Sequence, residues 1–64
     1  MSAPATGILN STETLIAALT ARVEGHETAA LKLRTNGMFD SARGERIRAE
    51  VLRSVIAEMK EQLL

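Results

Sequence analysis

An all-α antiparallel two-helix hairpin, completed to a bundle by self-association or by a partner, is the fold class this sequence predicts. Three observations point to it. Two amphipathic stretches, 11–35 and 41–63, repeat apolar residues at helical spacing. The breaker Asn36-Gly37-Met38-Phe39-Asp40 between them is short enough to force antiparallel neighbours. The chain has 64 residues, no cysteine and one aromatic, Phe39. A domain of this length buries only about 60% of the surface its unfolded chain exposes. Two helices meet along a single seam, and neither a disulfide nor a thiolate metal site is available as a staple. Association is therefore the expected source of firmness.

Residues 1–10 read as a flexible leader, small and polar around Pro4 and Gly7. Its two apolar residues, Ile8 and Leu9, are expected either to staple the first helical turn or to hook onto a partner. Asn10, Ser11 and Thr12 are all competent N-caps, and Asn10 with Glu13 has nearly the spacing of a capping box, so the first helix is expected to start within this cluster and to run over 11–35. Along it Ile16, Leu19, Val23, His26, Ala30 and Leu33 alternate steps of three and four, the seam of a helix packed against an antiparallel partner, and Leu15 widens that stripe. Gly25 lies off the seam and costs about 1 kcal/mol relative to Ala, as a tolerated defect or a backbone contact point. His26 lies on the seam, where a lone histidine serves as a hydrogen-bonded packing residue ahead of a pH-responsive interface or a ligand.

The turn spans 36–40. Gly37 is suited to the left-handed conformation just beyond the last helical turn. Asp40 or Ser41 is expected to cap the second helix, and Phe39 to plug the closed end or anchor an interface. The second helix, 41–63, carries Ile47, Val51, Leu52, Val55, Ile56, Met59 and Leu63 over roughly half its circumference. One partner helix cannot cover so wide an arc. Val51, Val55 and Met59 are expected to face the first helix, leaving Leu52, Ile56 and Leu63 for an external contact. Arg48 falls in the apolar arc, and folding the hairpin about Met38 brings it near Glu27 or Thr28, as an interhelical ion pair or a partner-facing hot spot. The candidate partner-binding set is thus Ile8, Leu9, Phe39, Arg48, Leu52, Ile56, Met59 and Leu63.

Eight Lys and Arg balance eight Asp and Glu, and Arg43, Arg46, Arg48 and Arg53 are interleaved with Glu45 and Glu50. Without a basic excess or stripe, nucleic acid is disfavoured as a partner. No apolar run approaches membrane-spanning length, and 1–10 has no secretory-signal pattern, so the expected location is the cytoplasm. No phosphate-binding loop, HExxH motif or nucleophile triad is present, and two helices supply no walled pocket for paired carboxylates. A non-enzymatic protein follows as the expectation, with no catalytic residues, cofactor, metal or small-molecule substrate, and with another protein or a second copy as its partner.

The run Glu27-Thr28-Ala29-Ala30-Leu31, then Gly37, then a long helix with Arg46, Glu50, Leu52 and Met59 resembles the small helical-hairpin chaperones of bacterial type III secretion and flagellar export systems. The likeness covers Leu15 to Leu64 and consists of helical periodicity and a glycine turn. It implies binding of export substrates or a second chaperone subunit through apolar helix faces. Two other readings stand beside this chaperone, adaptor or assembly-factor module. One is a ribbon-helix-helix DNA-binding regulator or antitoxin, which needs an N-terminal strand that 1–10 does not pattern. The other is a self-assembling structural bundle.

Overall fold

The computed structural model describes residues 4–63, with side chains from 11 onward. Two helices account for nearly all of it: α1, Pro4–Thr35, and α2, Phe39–Leu63. They pack side by side into a rod of 55 × 19 × 11 Å, which confirms the helical hairpin.

α1 begins at Pro4 rather than at Ser11, so the backbone of 4–10 is helical where a leader was expected. Proline belongs in a first helical turn, where its φ is already helical and its missing N–H would have had no intrahelical acceptor. The cap candidates Asn10, Ser11 and Thr12 consequently lie inside the helix. Hydroxyls farther along turn back on their own helix, as Thr20 Oγ1 donates to the Ile16 carbonyl at 2.8 Å and Thr35 Oγ1 to that of Leu31 at 2.8 Å.

The reversal is sealed by backbone hydrogen bonds. Met38 N–H donates to the Leu33 carbonyl at 2.8 Å, and Gly37 N–H to that of Arg34 at 3.0 Å. This is the Schellman pairing, and it needs a left-handed residue at Gly37, whose φ is 78°. Ala42 N–H then donates to the Met38 carbonyl at 3.0 Å. Met38 therefore stands at the N-cap of α2, and Asp40, one of the two expected caps, lies instead in the first turn, where its charge complements the helix dipole.

Such a tight turn holds the helix axes close where they leave it, and the core is built accordingly. The buried residues are Val23, Ala30, Ala42, Ala49 and Ile56, and Ala49, at 1% exposure, is the deepest of them. Ile16, Leu19 and Leu52 pack against Val23, Ala49 and Ile56. On α1 every residue of the expected seam is buried or half-buried. On α2 the seam runs Ala42, Glu45, Ala49, Leu52, Ile56, Met59 and Leu63, again in steps of three and four.

That register corrects the expected facing of α2. Leu52 and Ile56 point into the hairpin, whereas Ile47, Val51 and Val55 are exposed at 52%, 58% and 40%. The small side chains of Ala42 and Ala49 permit a close approach near the turn, and the seam that includes them leaves Ile47, Val51 and Val55 on the outside.

Candidate interaction surfaces

Two flanks border the seam, and they differ in chemistry. Glu27 follows the seam residue His26, Arg53 follows Leu52, and the two form an interhelical ion pair. Residues that follow a seam position of this type therefore share one flank, and Arg34, Arg46 and Lys60 belong to it by the same register. Two shallow grooves lie there. One, of about 440 Å³, has Ala30 and Ala42 as its floor, Leu31 and Phe39 as apolar shoulders and Arg34, Arg43 and Arg46 around it. The second, of about 400 Å³, lies between Thr20, Val23, Glu24, Arg53, Ile56 and Lys60. This flank is charged.

The opposite flank is mixed, with Arg22 before Val23 and Arg48 before Ala49 beside its large apolar residues. Leu15 precedes Ile16 as Val55 precedes Ile56, which places both beside the seam on the side away from Glu27 and Arg53. Leu15 is 50% exposed. From Val55 the stripe continues through Val51 to Ile47 in steps of four along the outer surface of α2.

Arg48 precedes Ala49 and so lies on this flank. That is why it does not reach Glu27, as folding about Met38 suggested. It instead donates to Glu45 of its own helix at 3.0 Å. Phe39, 65% exposed, shoulders the larger groove and does not plug the hairpin end. Leu63, at 36%, lies at the open end. Met59 is half-buried and Ile56 is in the core, so with Leu52 these three members of the candidate set serve the hairpin itself. The side chains of Ile8 and Leu9 lie outside the described residues.

Within the seam, His26 Nδ1 lies 2.5 Å from Glu45 Oε2. The two polar residues occupy facing seam positions between Val23–Ala49 and Ala30–Ala42, and each satisfies the other. A polar pair set into an apolar seam fixes register, because sliding either helix by a turn would bury one group without its partner. The hydrogen bond with His26 is the largest influence on the Glu45 carboxyl and holds it below its ordinary range, against partial desolvation and with help from Arg48. Glu45, which the sequence shows only as one of the acids interleaved with the arginines, is thus a seam residue. Its signal was present, since Glu45 falls three residues after Ala42 and four before Ala49.

Charge is also segregated along the rod. Residues 31–48, around the closed end, hold Lys32, Arg34, Arg43, Arg46 and Arg48 against Asp40 and Glu45, a net of +3. The remaining length has Arg22, Arg53 and Lys60 against Glu13, Glu24, Glu27, Glu50, Glu58 and Glu61, a net of −3. The overall balance of zero conceals a rod with a basic end and an acidic end.

Among the described residues no group of three His, Cys, Asp or Glu side chains could hold a metal ion, and no helix is long and apolar enough to cross a membrane. Compared with protein-family models, curated proteins and solved structures, the chain matches none.

Proposed function

We propose that this chain is a non-enzymatic protein-interaction subunit, a helical hairpin that completes its apolar surface on a partner in the manner of a small chaperone, adaptor or assembly factor. One observation carries the reading. Among the described residues eight large apolar side chains are exposed, whereas the buried set contains only two residues larger than alanine, Val23 and Ile56. An apolar stripe on a small domain marks a contact surface, and burying what remains exposed of Ile47, Val51 and Val55 would contribute about 1 kcal/mol apiece. The two shallow grooves are open to the side and rimmed by charges, which suits docking of a side chain or a helix better than enclosing a substrate.

A ribbon-helix-helix regulator would need a strand ahead of its helices, and among the described residues the backbone from Pro4 to Thr35 is helical, which favours the interaction reading. The secretion-chaperone resemblance agrees with the hairpin and with apolar faces as the means of binding. In this chain the available face is the one carrying Ile47, Val51 and Val55.

The test is affinity capture of the tagged chain and of its Val51→Asp variant from native extract, with light scattering of both. The wild type is expected to hold a stoichiometric partner or to self-associate, and the variant to lose it while circular dichroism still reports helix. Retention of the same complex by Val51→Asp would defeat the reading.

A further inference from the structure

Resting on that reading, we propose that the occupant of the Ile47–Val51–Val55 stripe is a second copy of this chain, laid antiparallel across α2 about a two-fold axis through Val51 and forming a four-helix bundle.

The position of the stripe is the first argument. α2 spans Phe39–Leu63, and Val51 is its central residue. Ile47 and Val55 lie one turn to either side. A two-fold axis at Val51 therefore sets Ile47 against Val55 of the second copy and Val55 against its Ile47, a self-complementary contact over the whole length of α2. Isologous two-fold contacts of this kind are the commonest way for a small protein to associate with itself. A stripe displaced toward either end would leave one end of each α2 uncovered.

Charge supplies the second argument, independent of the first. Along α2 itself 39–48 holds Arg43, Arg46 and Arg48 against Asp40 and Glu45, a net of +1, and 50–63 holds Arg53 and Lys60 against Glu50, Glu58 and Glu61, a net of −1, so an antiparallel copy sets unlike halves together whereas a parallel copy would set like charge on like. The residues bordering the stripe match locally. Arg48 lies on the stripe's face three residues before Val51, and Glu58 lies on the same face seven residues after it. With the axis at Val51, Glu58 of the second copy stands opposite Gly44, one turn from Arg48, within the reach of an arginine. Arg48 is exposed and already tethered to Glu45 at 3.0 Å. The charged flank with its two grooves faces away and stays open.

Sedimentation equilibrium of the full chain, its variants and their mixtures tests the proposal. The wild type is expected to be a dimer at tens of micromolar, and Val51→Asp a monomer. Arg48→Glu and Glu58→Arg should each weaken the dimer by about tenfold over the two symmetric contacts. Mixed in equal amounts, these two variants should pair with one another in preference to themselves, because each mixed contact again joins opposite charges. The double variant should regain wild-type affinity, and about 1 M salt should erase the differences.

A wild type that stays monomeric at 100 µM overturns the second-copy proposal and leaves the interaction reading standing. A dimer untouched by Val51→Asp overturns both. A dimer that depends on Val51, but whose charge variants show no preference on mixing, overturns the antiparallel arrangement. The mixing result remains decisive even where Val51→Asp fails to fold.

Discussion

On the face of α2 turned to α1, Ala42, Ala49 and Ile56 are buried and Glu45, Leu52 and Met59 half-buried, whereas the outer face displays Ile47, Val51 and Val55. Both faces carry large apolar side chains, and the difference teaches that the stripe that also offers the small contact residues Ala42 and Ala49 is the one that goes inside. The inner face serves folding. The outer face is surplus to the hairpin and is where an association free energy can be gained.

The strongest way to break this comparison is to truncate each face once. Ile56→Ala removes a core side chain and should cost about 2–4 kcal/mol, at any protein concentration. Val51→Ala should cost under about 0.5 kcal/mol in the dissociated chain and progressively more as concentration rises. Urea unfolding followed by circular dichroism over a hundredfold dilution separates the two. Equal costs at all concentrations would mean that the faces do not differ as described.

A smaller effect sharpens the account of close approach. Ala49→Leu adds apolar surface at a helical position, which propensity alone would tolerate, yet at 1% exposure there is no room for it. Overpacking should destabilise by about 1–3 kcal/mol, and an unchanged urea midpoint would contradict the close packing at this point. The same enlargement on the outer face, Val51→Leu, should leave the dissociated hairpin unaltered.

The smallest effect concerns the polar pair in the seam. Because the Glu45 carboxyl is held below its ordinary value chiefly by His26, its ionised form favours the folded state. That contribution is present in full above the ordinary carboxylate value and is lost as pH falls through the lowered one. Thermal unfolding midpoints of the wild type should therefore drop on acidification through that interval more steeply than those of Glu45→Gln. Parallel acid limbs would show that the pair does not contribute to folding.

The fold was legible because its signals are local. Steps of three and four through Ile16, Leu19, Val23, His26, Ala30 and Leu33 depend on α1 alone, and a glycine placed for a left-handed cap depends on the turn alone. The facing of α2 was not legible, because α2 carries two self-consistent stripes. One runs through Ile47, Val51 and Val55, the other through Ala42, Glu45, Ala49, Leu52, Ile56, Met59 and Leu63. Which of them meets α1 is a property of the assembled pair. The charged flank was obscured for the same reason, since Arg34 and Arg43 enter one groove only when α1 and α2 are placed together. The start of α1 differs from the expected leader because proline in a first helical turn does not end a helix.

The bond from Gly37 N–H to the Arg34 carbonyl has a chemical consequence beyond shape. Asparagine is a thermolabile residue, and Asn followed by glycine is an especially vulnerable pair, because an unencumbered backbone nitrogen can close on the side-chain amide and expel ammonia. At Asn36 that nitrogen is engaged in the helix cap. Folding thus shields the chain from a slow covalent decay to which its unfolded form lies open, and the hairpin's chemical lifetime rises with the fraction of time it spends closed.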